Sequence, residues 1–363
     1  MQPFNVSLTV LVVAVILASC SSVSRSPEYS LPEYKEDVSI SFDIMTDELL
    51  GFEFIRDICQ YKSYIVIVAV NLKDRRLIHV FDKETGECLA DVLNQGRGPG
   101  EYLYDRDCHF DTSTGEMRIY DYFKNSIIEF HLDSLMRYGA KAVKELHYAE
   151  DIYALEKTLD YEDKHFVFRN ESFLHRDSDV ARFTLTNATG DTLSVYNSYP
   201  EIENDGVRWQ IYQSCNLSAS PSYDRIVACC IYSGILETFS LSGGQIRNIA
   251  TGYFSRPDFH WDGGLIYTDI TTAGFGDVFA AEDRIYTVFD GETKLNDYYE
   301  RPKGKTGSPL LRDVCIFDWS CRPVKRIRTD YQIDRICIDE DADVLYAVVK
   351  DSQGRSYLGR INL

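Results

Sequence analysis

The chain has 363 residues, of which 44% are hydrophobic and 26% are charged, so its composition excludes disorder over the whole length. Asp and Glu number 57 against 38 Lys and Arg, and the resulting net charge of -19 lacks the basic footprint that nucleic-acid binding needs. The 25 Tyr, 19 Phe and 3 Trp favour β-strands, and the length suits two average domains or one large β architecture.

The N-terminus has the pattern of a bacterial lipoprotein signal. Residues 1–19 carry no charged side chain, and the apolar run over 8–18 is too short to span a bilayer but fits a secretory signal. Leu17-Ala-Ser-Cys20 resembles a lipobox, which implies a mature chain that begins at a lipidated Cys20. Ser21 stands where an Asp often retains lipoproteins in the inner membrane, so the resemblance implies an outer-membrane lipoprotein, periplasmic or surface-facing. The alternatives are a plain secreted protein and a short buried segment.

The residues after Cys20 are polar, contain two prolines and show no hydrophobic periodicity, which is typical of a flexible tether. We therefore divide the chain into a signal peptide over 1–19, a lipidated Cys with its tether over 20–37, and a single domain over 38–363.

Six similar units recur along this domain, each made of two strand-like runs joined by a polar turn. Their equivalent positions are Ile65, Ile119, Phe166, Ile226, Ile285 and Leu345. The intervals between these positions run from 47 to 60 residues, slightly longer than in common propeller blades. The pattern predicts an all-β fold, a six-bladed β-propeller of four-stranded antiparallel blades.

The two ends of the domain predict how such a ring closes. After Asp330 only three strand-like runs remain, over 333–338, 344–350 and 357–363. Far upstream, a lone strand is indicated by apolar residues that alternate with polar ones from Val38 to Ile44. We expect this N-terminal strand to complete the last blade.

Nine cysteines remain once Cys20 is assigned to lipid, and an odd number cannot all pair within one chain. Most lie among strand-type apolar residues, where a thiol packs as a small hydrophobic group. Cys315 and Cys321 flank a predicted turn and form the most plausible disulfide. No Cys-x-x-Cys pair occurs, so neither a structural zinc site nor a thioredoxin-like centre is indicated.

The segment Asn94-Gln-Gly-Arg-Gly-Pro-Gly-Glu-Tyr102 resembles the signature loop of TolB-like six-bladed β-propeller lipoproteins of Gram-negative bacteria. The resemblance extends from about residue 38 to the end of the chain and implies a propeller. Arg97, Glu101 and Tyr102 are candidate binding residues in this loop. Its glycines permit positive φ, so a structural connector between blades is the alternative. The loop lacks the Lys-Ser/Thr of a P-loop, so phosphate binding is not predicted.

A second candidate site is the aromatic and polar segment 253–264. Its residues Arg256, Asp258, His260 and Trp261 combine rings that stack on a sugar or peptide with groups that form hydrogen bonds. The alternative is that these aromatic side chains pack between blades.

The sequence contains no recognisable catalytic constellation, neither a Gly-x-Ser-x-Gly elbow nor a His-x-x-x-His pair. The acidic run 339–343 lacks the Gly and the final Glu of an EF-hand, so we interpret it as a turn and predict no metal ligand and no cofactor. We predict a module tethered to the membrane through Cys20 that binds a protein, peptide or glycan but no nucleic acid. The alternatives are a hydrolase or lactonase that uses a divalent cation such as Ca²⁺ at the channel, and a scaffold of an envelope complex.

Overall fold

The structure, a computed structural model, describes the larger part of the chain after residue 26. The described residues are 27–47, 49, 52–71, 75–102, 108–121, 124, 126–147, 157–161, 164–170, 181–186, 192–200, 211–212, 215–262, 265–267, 273–293 and 311–363. Nearly all of their regular structure is β-strand, which confirms the all-β prediction. No helix in these ranges is long and apolar enough to cross a membrane.

Two short strands come first. Most of the later strands form sheets of four or five strands, in which strands that are consecutive in the chain are neighbours. The short strands are β1 (Glu36–Ser39) and β2 (Asp43–Ile44). Sheet 1 contains β3 (Phe52–Tyr61), β4 (Tyr64–Asn71), β5 (Arg76–Asp82), β6 (Cys88–Gln95) and β7 (Glu101–Tyr102). Sheet 2 contains β8 (Cys108–Phe110), β9 (Glu116–Asp121), β10 (Ser126–His131) and β11 (Lys144–His147). Helix α1 (Leu132–Tyr138) and a 3₁₀ turn (Gly139–Ala142) connect β10 to β11.

The second half of the chain repeats the same sequential order. Sheet 3 contains β12 (Lys157–Tyr161), β13 (Lys164–Asn170), β14 (Phe183–Thr186) and β15 (Thr192–Tyr196). Sheet 4 contains β16 (Cys215–Ala219), β17 (Arg225–Cys230), β18 (Gly234–Ser240) and β19 (Arg247–Ser255), with a 3₁₀ turn (Ser242–Gly244) before β19. A separate hairpin pairs β20 (His260–Asp262) with β21 (Leu265–Tyr267). Sheet 5 contains β22 (Val278–Ala280), β23 (Ile285–Val288), β24 (Asp313–Phe317) and β25 (Pro323–Arg328). Sheet 6 contains β26 (Gln332–Asp339), β27 (Val344–Lys350) and β28 (Ser356–Asn362).

The sheets are joined face to face by apolar side chains, which is the packing of a propeller-like fold. In β4, Ile65 and Ile67 pack against sheet 6, whereas Val66 and Val68 pack against sheet 2. A strand that is buried on both faces needs apolar residues at every position, which explains the uninterrupted run in this strand. Similar apolar clusters lie between sheets 3 and 4, 4 and 5, and 5 and 6. Sheet 6 therefore packs on sheet 1, although strands β26 to β28 lie at the opposite end of the chain from sheet 1.

Aspartate-capped turns join neighbouring strands within the sheets. Asp82 Oδ1 accepts hydrogen bonds from the backbone N–H groups of Glu84 and Thr85, and Asp111 Oδ1 accepts them from Ser113 and Thr114. An Asp side chain bound to the backbone two or three residues ahead fixes the direction of a tight turn. The recurrence of this turn is part of the repeat that the sequence shows.

The N-terminal segment, residues 29–44, crosses the outermost strands of three sheets, and we call it the strap. The backbone N–H of Ser30 donates to Tyr253 O on β19 at 3.1 Å. Strand β1 then pairs in parallel with β25, where Asp37 forms ion pairs with Arg326 and Arg328. Strand β2 pairs antiparallel with β28. The strap thus fastens sheets 4, 5 and 6 to one another along their outer edge.

The strap differs from the predicted N-terminal strand and tether. Residues 43–44 do join the last sheet, but residues 36–39 join sheet 5, because the chain turns inward at Phe42, which is only 6% exposed. The single strand predicted from Val38 to Ile44 is therefore wrong in this detail. Within the predicted tether 20–37, the residues from Tyr29 onward contact the sheets. Sheets 1 and 5 each have five strands rather than the predicted four, because β7 and β1 add to them.

We expect Phe42→Ala to lower the free energy of unfolding by about 3 kcal/mol, because the ring packs against Gly359 and Tyr331 and its removal leaves a cavity. Urea denaturation measures the change. The control Leu89→Ala removes a large apolar side chain that is exposed on β6 and should change the stability by less than about 0.5 kcal/mol. Equal losses in the two variants would contradict the fastening role of the strap.

The nine cysteines of the described residues are all free thiols, and seven of them are buried. The disulfide predicted between Cys315 and Cys321 does not form in the structure. Cys315 Sγ instead donates to Phe289 O at 2.9 Å, and Cys321 Sγ donates to Leu236 O at 3.4 Å on the neighbouring sheet. The two sulfurs bind different carbonyls because Cys315 lies within β24, whereas Cys321 follows the next turn.

We expect alkylation after unfolding, without a reducing agent, to modify both Cys315 and Cys321. Peptide mass spectrometry identifies the modified residues, and a sample that is reduced before alkylation serves as the control. A linked peptide that contains both residues, found only in the unreduced sample, would contradict the structure.

Candidate functional site

The first strands of the sheets surround a central cavity of about 400 Å³. Each first strand contacts the first strand of the next sheet, and β26 contacts β3. Polar side chains from five sheets line this cavity: Arg56, Asp57, His109, Thr112, Asn216, Ser218, Tyr223, Asp277 and Arg335. The rings of Phe110 and Phe279 also line it. The cavity therefore combines hydrogen-bonding groups with aromatic surface.

Asp277 precedes β22 and presents a carboxyl group to the cavity. Its Oδ2 accepts a hydrogen bond from the backbone N–H of Ile336 at 2.8 Å. Burial raises the pKa of Asp277 to about 7, with a further contribution from the negative charge of Asp57 and an opposing one from Arg335. A carboxyl group with this pKa is partly protonated at neutral pH, so it can donate as well as accept a hydrogen bond.

Arg335 links the last sheet to the first at the wall of the cavity. Its Nε donates to Arg56 O on β3 at 2.9 Å, and one terminal nitrogen donates to Asp334 O at 2.7 Å. These bonds hold the guanidinium group in one orientation, and a positive charge is thereby positioned beside Asp57 and Asp277. Opposite charges within one cavity suit a polar ligand that has both donors and acceptors.

Asn216 on β16 supplies an acceptor. Its Nδ2 donates to Phe275 O and Gly276 O, both at 3.1 Å, so the orientation of the amide group is fixed. Since the two N–H hydrogens are used, Oδ1 is the group that remains for a ligand.

His109 and Tyr223 approach each other from sheets 2 and 4. The phenol oxygen lies 3.2 Å from His109 Nε2, and the two ring centroids are 5.6 Å apart. The pair links two walls of the cavity, and both of its members present π surface and a polar tip.

The predicted loop residues lie at the junction of sheets 1 and 2 and not in this cavity. Glu101 turns back on its own loop, where its Oε2 accepts from the Gly98 N–H at 2.9 Å. Tyr102 is 4% exposed, and the ammonium group of Lys124 lies 4.8 Å from its ring centroid. Burial raises the pKa of Tyr102, with smaller contributions from Glu145 and Asp121. Arg97 is exposed on the same loop. The contacts of Glu101 and Tyr102 are those of a connector between sheets.

The second group of predicted residues lies beyond sheet 4. Arg256 and Asp258 are exposed on the segment after β19, and His260 and Trp261 belong to β20. The structure therefore places the two predicted groups at different sheets. Cys20 lies outside the described residues. In the part of the chain that the structure describes, no group of three or more His, Cys, Asp or Glu side chains is arranged to hold a metal ion.

The comparison with known families identifies the fold. A family model described as TolB-like 6-blade propeller-like matches residues 43–341. The chain belongs to this TolB-like propeller family. The resemblance seen in the loop 94–102 is thus confirmed. No curated protein sequence matches this TolB-like propeller significantly.

Two solved structures are similar to this TolB-like propeller in fold. A protein of Bacteroides fragilis that is described as exported has 11% identity and a TM-score of 0.50, and the match covers 90% of this chain and 99% of the other. A member of the DUF4221 family from Bacteroides vulgatus has 8% identity and a TM-score of 0.53, with 89% and 97% covered. At such low identity these likenesses support the fold alone.

The residues of the cavity could not be identified from the sequence, because they come from five different sheets that are far apart in the chain. A weak signal exists in the charged residues that interrupt otherwise strand-like runs, such as Asp57 within β3 and Arg335 within β26. A charged residue on a first strand needs a polar space to face, and here that space is the cavity.

We expect Asp277→Asn to stabilise the fold increasingly as the pH rises. The folded-state pKa of about 7 lies above the ordinary value of 3.8. As the pH rises from about 4 to 7, the carboxyl group ionises in the unfolded chain but stays protonated in the folded one, so the stability of the parent falls. The Asn side chain of the variant does not titrate, so the variant does not lose this stability. Its advantage in unfolding free energy over the parent should be about 2.5 kcal/mol larger at pH 8 than at pH 5.

Urea denaturation at both pH values measures this difference. The control Asp283→Asn changes an exposed acidic residue in the turn after β22 and should give the same difference from the parent at both pH values. Parallel pH profiles for Asp277→Asn and the parent would contradict a buried carboxyl group with a raised pKa.

Proposed function

We propose that this TolB-like propeller is an envelope-tethered lipoprotein that binds a glycan unit in its central cavity. The observation that carries the proposal is the lining of the cavity, where carboxyl, guanidinium, amide and phenol groups stand beside the rings of Phe110 and Phe279. Sugar hydroxyl groups both donate and accept hydrogen bonds, and the apolar faces of sugar rings pack on aromatic side chains. Of the predicted ligands, a protein, a peptide or a glycan, the glycan fits this mixture best.

The size of the cavity supports a small ligand unit. At about 400 Å³ it lies at the lower end of typical ligand pockets, which hold a molecule of drug size or smaller. A folded protein partner would instead bind at the surface around the channel. The groups with fixed orientation, above all Asn216 and Arg335, favour a ligand of defined stereochemistry.

We further propose that sheets 1 to 6 are the six blades of a closed ring. The contact of β26 with β3, the apolar cluster between sheets 6 and 1, and the pairing of β2 with β28 support this closure. In such a ring the N-terminal strand supplies the fourth strand of the last blade through residues 43–44. The central cavity is then the channel that surrounds the ring axis.

The proposed location rests on the sequence Leu17-Ala-Ser-Cys20. A lipid on Cys20 would anchor the mature chain in the outer membrane, and the Bacteroides fragilis relative in fold is itself described as exported. An envelope location also places the cavity where glycans occur. The assignments as a cation-dependent hydrolase or as an envelope scaffold remain alternatives.

A glycan array followed by isothermal titration calorimetry tests the proposal. We expect Asp57→Asn to weaken binding of the best glycan at least tenfold, because a hydrogen bond to a charged carboxylate contributes about 1.5–3 kcal/mol. The substitution keeps the shape of the side chain and an oxygen for the N–H of Ile58, which bonds to Asp57 Oδ1 at 2.8 Å. Asp283→Asn is the surface control and should leave affinity unchanged.

The outcomes separate the candidate functions. Glycan binding that Asp57→Asn leaves intact would contradict the cavity as the site. Binding of peptides but not of glycans would contradict the ligand class. Stabilisation by Ca²⁺ in a thermal-shift assay, together with turnover of lactones or esters, would favour the hydrolase. A stoichiometric partner in affinity capture from the native envelope would favour the scaffold.

A further inference from the structure

The start of the strap fixes the place where an N-terminal anchor meets the folded domain. The ring of Tyr29 packs edge-on against Tyr253 with centroids 5.4 Å apart, and the next residue, Ser30, donates to Tyr253 O. Tyr253 lies on β19, the outermost strand of sheet 4. The anchor therefore joins the domain at its outer edge and not at either mouth of the channel.

The link between anchor and domain is short. Tyr29 is nine residues after Cys20, and fully extended residues reach about 3.5 Å each, so the link spans at most about 30 Å. A compact domain with as many residues as 38–363 is about 50 Å across. The link is therefore shorter than the domain is wide. The edge at β19 must stay near the lipid, and the opposite edge cannot reach it.

Exposed apolar side chains concentrate at this same edge. Among the described residues, six large hydrophobic side chains are exposed, and four of them lie on the strap or on the outermost strands of sheets 3 and 4. They are Leu31, which is 51% exposed, Leu193, Val195 and Ile249, which is 43% exposed. Strands β15 and β19 lie close together here, since the Ile246 N–H donates to Ser194 Oγ at 3.1 Å.

We propose that the outer edge formed by β15, β19 and the start of the strap is the surface that faces the lipid bilayer. The inference rests on the proposed lipidation of Cys20. Scattered apolar side chains next to an anchor insert among lipid headgroups, and the anchor supplies the remaining affinity. With this edge towards the membrane, both mouths of the channel open sideways into the aqueous phase, where a ligand can enter.

Depth-dependent fluorescence quenching tests this orientation. The full lipidated chain is reconstituted in phosphatidylcholine vesicles that carry a spin-label quencher near the headgroups. Two single-site variants, Ile249→Cys and Leu89→Cys, are labelled with the same environment-sensitive fluorophore in a Cys88→Ser background, because Cys88 is the exposed thiol among those described. Leu89 on β6 is the matched control, since it is equally exposed and sheet 1 lies opposite sheet 4 in a ring of six.

We expect quenching at Ile249→Cys to be at least threefold stronger than at Leu89→Cys, while both variants keep the melting temperature of the parent. Equal quenching at the two positions, or stronger quenching at Leu89→Cys, would overturn the orientation. Mass spectrometry of the mature N-terminus distinguishes the two failures. A Cys20 without lipid refutes the anchor itself, whereas a lipidated chain with weak quenching at Ile249→Cys refutes only the orientation.

Discussion

The fold depends on fastening its N-terminus to its C-terminus. Asp43 and Arg360, which are hydrogen-bonded at 3.0 Å, are 317 positions apart in the chain, and closing a loop of that length costs about 5 kcal/mol of chain entropy. Burial of Phe42 returns about 2–3 kcal/mol. The backbone hydrogen bonds of Ile40, Met45 and Leu49 add about 1 kcal/mol each. The exposed ion pairs of Asp37 contribute little, so apolar packing and backbone pairing hold the strap.

A second junction, between the last sheet and the first, forms one side of the cavity. Arg335 on the last sheet donates to Arg56 O on the first, and Lys83 forms an ion pair with Asp339 across the same junction at 2.9 Å. If this junction opened, Asp277 would become hydrated and its pKa would return towards the ordinary value, because burial is the main cause of the shift. The electrostatics of the proposed binding site are therefore a consequence of the packing of the last sheet on the first rather than of any local motif.

The repeat can be predicted from the sequence because second strands such as β4, β17, β23 and β27 are buried on both faces. The six positions taken as equivalent, from Ile65 to Leu345, all lie on the second strand of their sheets. The strap was only partly predictable, since its division between sheets 5 and 6 depends on where Phe42 finds a pocket against Gly359. The cavity was not predictable, because residues such as Asp57 and Asn216 meet only after all the sheets are packed. The glycines of loop 94–102 are conspicuous in the sequence for a structural reason, since a side chain on Gly96 would collide with the carboxylate of Glu101.

The free thiols are compatible with the envelope location that we propose. Thiol–disulfide exchange requires the thiolate, and burial suppresses its formation. Burial raises the pKa of Cys229 and Cys337 well above the ordinary value and that of Cys321 to about 12, so these thiols stay protonated at neutral pH. These thiols are also covered on both sides by neighbouring sheets, and a protein disulfide cannot reach their sulfur atoms unless the sheets separate. The face-to-face packing of the sheets therefore also protects these buried thiols from oxidation.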